Sequence, residues 1–258
     1  MSENLTPTPK IKDVIYLEDV TVQFGNFKAL DNVIFLMRPG ELRFLIGPNG
    51  AGKTTLLDVI CHKVLPTSGR LFFEEKSYRN LSVHEVARMG ISRKFQAPSV
   101  FASLTVRENM ELAYPKARGL WEALWHRFSK EENDDIQTVL ETVGLSNREN
   151  WKAAALSHGQ KQWLEIALTL IQKPKLLLVD EPVAGMTREE RTRTGHILEK
   201  IACTTSVLVV EHDMKFVEAF AQKVTVLHEG RILCEGPFAK VANDPRVLEV
   251  YLGRGTKE

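Results

Sequence analysis

The stretch FLIGPNGAGKTTLL, Phe44 to Leu57, sets three glycines and a lysine between two apolar runs. GPNGAGKT fits G-x-x-x-x-G-K-[ST] from Gly47 to Thr54, and the pattern has the flanks it requires. LRFLI (Leu42 to Ile46) reads as a short strand buried on both faces. Leu56, Leu57, Val59 and Ile60 follow at helical spacing. Glycines at a strand-to-helix junction let backbone N–H groups converge on phosphate oxygens, because no Cβ blocks the approach. The helix N-terminus adds positive potential at the same point. In such a loop Lys53 reaches the β- and γ-phosphates and the Thr54 hydroxyl holds Mg²⁺. A glycine-rich turn that binds nothing is the bland alternative, and the strand before and helix after weigh against it.

Working outward, VIYLEDVTVQF and FKALDNVIFLM alternate around Gly25-Asn26, which predicts antiparallel strands joined by a tight turn. LLLV (176–179) and VLVV (207–210) read as further buried strands. VTVLH and RILCEG form a hairpin turning at Glu229-Gly230. Between about Pro98 and Leu156 no strand pattern stands out. Ile136, Val139, Leu140 and Val143 share one helical face, closed by Gly144, and Trp121, Trp125 and Phe128 form a second helical stripe. The fold class expected is α/β: a phosphate-loop core with an antiparallel β subdomain and an inserted helical subdomain. The boundaries expected are a disordered tail over 1–12, the core over 13–96 and 157–253, and the helical subdomain over 97–156.

At 258 residues and 43% hydrophobic, the chain can bury a large core. Its 34 basic and 33 acidic residues leave a net charge of +1, so nothing global draws it to nucleic acid or anionic lipid. Three scattered cysteines, Cys61, Cys203 and Cys234, form no CxxC and argue against a disulfide framework or zinc cluster. MSENLTPTPK lacks the apolar core of a signal peptide, and no apolar run approaches the ~18 residues of a membrane span. A soluble protein of a reducing compartment is expected.

LLLVDEP ends an apolar strand in Asp180 and Glu181, beside the phosphate loop in a doubly wound sheet. There Asp180 suits Mg²⁺ through water and Glu181 suits the attacking water as general base. Alone, the two carboxylates could equally cap the turn before Pro182. LSHGQ (Leu156 to Gln160) opens a helix whose apolar face is Leu164, Ala167, Leu168 and Ile171. Ser157 with Gln160 is a capping box, which leaves Gly159 unexplained, since glycine weakens a helix by ~1 kcal/mol relative to alanine. A second anion site over bare backbone donors would explain it. Gln96, in ISRKFQAPSVF, sits where core gives way to helical region, a place where most glutamines are merely solvated. His212 follows VLVV at a strand end, where a lone histidine is more often structural.

Taken together, Phe24 in VTVQFG, GPNGAGKTT, Gln96, LSHGQ, LLLVDEP and His212 resemble, in order and spacing, the A-loop, Walker A, Q-loop, signature, Walker B and switch histidine of ABC ATPases. The resemblance runs from about Val14 to Gly253. It implies that Phe24 stacks on adenine and that Gly47, Pro48, Asn49, Gly50, Ala51, Gly52, Lys53, Thr54 and Thr55 wrap the phosphates of ATP. It implies that Gln96 senses Mg²⁺ and the attacking water and links the site to a membrane partner. Asp180 then supports Mg²⁺, Glu181 polarises the water and His212 contacts the γ-phosphate. Ser157, Gly159 and Gln160 reach the γ-phosphate held by the other protomer of a head-to-tail dimer.

Three positions depart from the family pattern. His158 replaces the first signature glycine, Thr187 stands where the D-loop commonly ends in aspartate, and Phe24 replaces the commoner tyrosine. Thr187 with Glu190 still makes a T-x-x-E capping box. PVAGMT and the ending GPFAKVANDPRVLEVYLG resemble importers for branched-chain amino acids and related solutes. LSHGQKQWLEIALTL with DEPVAGMT looks most like the urea-transporter ATPase within that group. The resemblance implies uptake of urea or a short amide, with branched-chain amino acids the alternative. It also implies two integral membrane permease subunits, a second ATPase subunit, an external solute-binding protein acting indirectly, no nucleic acid, and a peripheral place on the cytoplasmic face of the membrane. A soluble ABC protein would usually carry two cassettes or a coiled-coil insert. A phosphate-loop kinase or GTPase would lack LSHGQ and the switch histidine, and a non-catalytic module would lose Glu181 or Lys53.

Overall fold

The computed structural model describes residues 13–93, 100–115 and 128–252. The expected tail 1–12, Gln96, Trp121 and Trp125 lie outside them. Among the described residues the strands form two sheets. β1 (Ile15–Phe24), β2 (Phe27–Met37), β4 (Ser68–Phe73) and β5 (Lys76–Ser77) make an antiparallel sheet in the order β2-β1-β4-β5. The β1–β2 turn falls at Gly25-Asn26, as the alternation predicts. The second sheet has the order β10-β9-β3-β8-β7-β6. Its members are β3 (Leu42–Ile46), β6 (Ile91–Arg93), β7 (Leu176–Asp180), β8 (Ser206–Val210), β9 (Lys223–His228) and β10 (Arg231–Gly236). All its pairs are parallel except the β9–β10 hairpin.

Strand periodicity divides the core. Phe44, Leu177, Val179, Val207, Val209, Val224 and Val226 face one side of the parallel sheet, and Leu45, Leu176, Leu178, Leu208, Val210 and Leu227 face the other. On the first side pack α3 (Val106–Ala113), α4 (Lys130–Val143), α5 (His158–Leu170), α6 (Arg188–Ala202) and α7 (Met214–Phe220). On the second lie α1 (Lys53–Ile60) and the antiparallel sheet. Both faces are covered, which is why these strands read as apolar runs rather than alternations. Arg43 interrupts one such run yet is buried. Glu41 and Glu235 pair with it and its guanidinium lies 5.0 Å from the centre of the Phe35 ring.

Three elements differ from the sequence reading. α4 starts at Lys130, ahead of the apolar stripe, because Ser129 and Glu132 form a capping box that the charged first turns conceal; it stops at Gly144 as expected. Phe128 is not helical: it precedes the Ser129 cap and sets its ring edge-on to Tyr114, centroids 5.8 Å apart. β4, β5, α2 (Val83–Met89) and β6 are short, amphipathic only in part, and absent from the sequence reading. α8 (Phe238–Ala242) and α9 (Pro245–Leu252) follow β10, and Tyr251 of α9 meets the Gly47 backbone.

α5 and α6 are locked by one buried polar contact, Trp163 Nε1–H to Thr194 Oγ1 at 2.8 Å. Thr194→Val keeps the shape and orphans the indole, so it should destabilise the fold by about 1–3 kcal/mol. Denaturant unfolding measures this as a lower midpoint at unchanged slope.

Candidate functional site

The phosphate loop, residues 47–52, leads straight into α1, whose N-cap Gly52 has φ 102° and makes no side-chain cap. No acidic residue sits in the first turn, so nothing from α1 itself occupies the amides that a helix start leaves unpaired. Asn49, Gly50 and Thr54 are exposed on the open side. A Cβ on Gly52 would stand 2.5 Å from the Ala29 carbonyl oxygen, so the loop is pressed directly onto β2. The Glu229-Gly230 turn clamps it there. The Gly230 N–H donates to Ala51 O at 3.0 Å, and Gly230 O accepts from the Asp31 N–H at 2.9 Å. Through that clamp the tip of the β1–β2 hairpin, with Phe24 exposed, belongs to the same end of the molecule as the loop.

Lys53 folds back over the loop, its Nζ donating to Gly47 O at 2.7 Å and Pro48 O at 3.0 Å. Desolvation lowers its pKa, and the charges of Glu181 and Asp180 oppose that shift. Asp180 ends β7 with its side chain almost fully enclosed. Burial raises its pKa while Arg93 pulls it down. Arg93, itself buried, donates to Asp180 Oδ2 at 3.3 Å and also pairs with Asp58 of α1. Glu181 follows at φ 47°, a left-handed backbone uncommon for a residue with a side chain, and its N–H donates to Val210 O. That bend turns its half-exposed carboxylate toward His212, whose Nδ1 lies 3.6 Å from Oε1. Strain of this kind collects at functional positions.

Glu211 is 1% exposed in its side chain and accepts from the backbone N–H groups of His212 (2.9 Å), Asp213 (3.2 Å) and Val183 (3.4 Å). It joins the loop carrying His212 to the turn after Glu181. Burial raises its pKa and these three donors moderate the shift. Ser157, Gly159 and Gln160 begin α5, well away in sequence from the phosphate loop. The capping box is present: Gln160 N–H donates to Ser157 Oγ, and Gln160 Oε1 accepts from Ser157 N–H. Gln160 Oε1 also accepts from Arg148 at 2.7 Å, so this side chain is turned into its own chain. His158 Nε2 lies 3.1 Å from Ala184 O; a carbonyl only accepts, so Nε2 carries the proton.

The structure therefore brings together residues 47–55, Asp180, Glu181 and His212, and sets Ser157, Gly159 and Gln160 on a separate helix tip. Sequence reasoning missed Arg93, Asp58 and Glu211, which act through tertiary pairing, and also Tyr251. The Tyr251 phenol is pushed up to about 12 by burial, with a hydrogen bond from the Gly47 backbone opposing. The one available signal was Arg93 three residues before Gln96, a cation in a strand about to be buried.

The donor set fits a polyphosphate with a hard cation: bare amides, one lysine, and the Thr54 hydroxyl with the Asp180 carboxylate for Mg²⁺. Mg²⁺ takes few protein oxygens beside phosphates and water. Among the described residues no group of three His, Cys, Asp or Glu could hold a metal unaided. A family model described as ABC transporter matches residues 30–184. The chain belongs to the ABC transporter family. A second model, described as branched-chain amino acid ATP-binding cassette transporter, matches residues 231–256.

Two relatives among ABC transporter subunits are named as branched-chain amino acid transport ATP-binding proteins LivG. The high-affinity protein of Escherichia coli K12 is 32% identical over 249 residues, covering 93% of this chain and 98% of the relative. The probable one of Methanocaldococcus jannaschii is 32% identical over 251 residues, with the same coverage. A crystal structure of the ADP conformation of an ATP-binding cassette of an ABC transporter superposes with TM-score 0.81 at 32% identity, covering 93% of this chain and 99% of that one. A dimeric cassette in a post-hydrolysis state, bound to ADP and phosphate, superposes at TM-score 0.69 and 26% identity, over 87% and 98%. The fold is that of an ABC ATPase, and the protein is an ATPase that binds ATP with Mg²⁺. Subunits of this family dimerise and work with membrane permeases. No helix among the described residues is long and apolar enough to cross a membrane.

Gly52→Ala places a methyl against the Ala29 carbonyl at a φ few side chains adopt. Strain of about 1–3 kcal/mol at the loop should weaken nucleotide binding roughly tenfold. Titration with a fluorescent ATP analogue reads it.

Proposed function

We propose that the chain is the ATPase subunit of an importer for branched-chain amino acids. The observation that carries this reading is similarity along nearly the whole length to proteins named for that solute. The separate match over residues 231–256 supports it. The expectation of urea, drawn from LSHGQKQWLEIALTL and DEPVAGMT, gives way to the alternative.

In this reading residues 47–55 wrap the phosphates of ATP, Phe24 lies on the adenine, and Lys53 exchanges its carbonyl partners for phosphate oxygens. Thr54 and Asp180, with Gln96, would hold Mg²⁺, which supplies charge neutralisation at the β- and γ-phosphates. Asp180 stays aligned because Arg93 holds its Oδ2. Glu181 positions water for attack and takes its proton, and the left-handed backbone aims the carboxylate past the strand end. His212, 3.6 Å from Glu181, holds the γ-phosphate in place. Ser157 and Gly159 grip the γ-phosphate on the facing protomer, so that ATP bridges two chains. Gln160 acts from behind as the cap that orients Ser157.

Moving a dimer from mostly open to mostly closed takes about 5.5 kcal/mol of differential binding. Charge-assisted hydrogen bonds of about 1.5–3 kcal/mol each at two nucleotides are enough. Hydrolysis removes the bridging phosphate and the dimer reopens. Permease docking falls to the groove beside β6, where Phe101 and Leu112 are exposed near Arg93 and Leu168. The helical subdomain proposed over 97–156 contributes Phe101, Asn109 and Leu112 to one wall of that groove. Two permease subunits, a second ATPase subunit and an external solute-binding protein complete the assembly at the cytoplasmic face of the membrane.

Glu181→Gln should keep ATP binding and lower turnover on the order of a hundredfold, the usual loss for a general base; near-parental turnover would show the base lies elsewhere. For the solute, cells lacking this subunit should lose uptake of labelled leucine, isoleucine and valine while taking up urea as before. The opposite pattern would restore the urea reading.

A further inference from the structure

The tip of α5 is covered by a carboxylate of its own chain. Ser157 Oγ donates to Glu190 Oε1 at 2.9 Å. Gly159 has no side chain, and a Cβ there would stand 2.6 Å from that same oxygen and 2.7 Å from the Glu190 carboxyl carbon. So the glycine that capping leaves unexplained is what lets Glu190 lie flat on the first turn. The other oxygen is fixed from α6: Oε2 accepts from the Thr187 N–H at 3.1 Å and from Thr187 Oγ1 at 3.2 Å. The Thr187 amide, then the Ser157 hydroxyl, hold the Glu190 carboxyl below the usual range, so it is an anion at neutral pH. A helix N-terminus attracts anions, and here the chain supplies one itself.

We propose that Glu190 competes with the nucleotide phosphate of the facing protomer for Ser157 and the surface left open by Gly159 at the tip of α5, and so sets how tightly two cassettes close on ATP. The inference rests on the proposed reading of Ser157 and Gly159 as contacts to that phosphate. Glu190 is a positioning residue that acts through Ser157. On closure the Ser157 hydroxyl passes from Glu190 Oε1 to a phosphate oxygen, while the Thr187 cap retains Oε2. A charge that stays so near the arriving phosphate opposes it, and the neutral amide of glutamine would not.

The test measures ATP-driven dimerisation of the full chain carrying Glu181→Gln, by light scattering against Mg-ATP concentration, with and without Glu190→Gln. Glutamine keeps an oxygen for the Thr187 N–H and removes the charge. The half-maximal concentration should fall about fivefold or more, the low end of ordinary site coupling, while nucleotide affinity of the monomer stays unchanged. A midpoint that is unchanged or raised overturns the proposal. The structure of the ATP-trapped Glu181→Gln dimer gives an independent readout. Ser157 Oγ should have left Glu190, and persistence of the 2.9 Å contact overturns the proposal even if Glu190→Gln fails to fold. Ser157→Arg separates the two levels. If it blocks dimerisation while Glu190→Gln changes nothing, the inference alone falls. If it dimerises like the parent, or if no ATP-driven dimer forms at all, the reading of the signature falls and takes the inference with it.

Discussion

The first turn of α1 presents backbone amides that no capping side chain and no acid of its own takes up, and much of the fold is arranged to keep it open. Five other helix starts among the described residues are closed by capping boxes, at Ser82, Thr105, Ser129, Ser157 and Thr187. Here glycine replaces the cap, β2 presses from one side, and the Gly230 turn holds the loop from the other. The parallel sheet, buried on both faces, delivers the ends of β3, β7 and β8 to the same edge. Asp180, Glu181 and His212 therefore meet the phosphate loop without any long excursion of the chain.

Charges brought to that edge are enclosed only in company. Arg93 lies between Asp58 and Asp180, joining α1 to β7 at the strand that leads toward Gln96. Glu211 takes three backbone donors from two loops. Removing one partner of such a set leaves an uncompensated buried charge, which costs far more than the pair contributes. These groups thus hold Asp180 and the backbone around Glu181 and His212 in place by making their displacement expensive.

The solute lies beyond the chemistry of this chain. The side chains gathered at the phosphate loop fit a nucleotide with a hard cation, and the identity of a carried solute leaves no chemical trace among them. That is why LSHGQKQWLEIALTL and DEPVAGMT pointed toward urea while relatives similar along nearly the whole length are named for branched-chain amino acids. Trp163 in the first block and Met186 in the second both bond Thr194 of α6, so these blocks also serve helix packing.

Local chemistry made much of the fold legible. A buried parallel strand must be apolar throughout, a hairpin needs its turn residues, and a capping box needs its pair three residues on. So β1 to β3, β7 to β10, the loop 47–54 and the starts of α5 and α6 could be read from the sequence alone. The short elements from β4 to β6 could not, because few of their residues are buried and their stability comes from neighbours. Arg43, Arg93 and Glu211 were likewise illegible, as was the reach of Glu190 beyond its Thr187 cap to Ser157. A charged side chain carries no mark of which distant partner will neutralise it, and only the packing of strands and helices far apart in sequence supplied that partner. The bend at Glu181 and the role of Gly159 belong to the same class: each is a backbone position whose meaning depends on what the folded chain places against it.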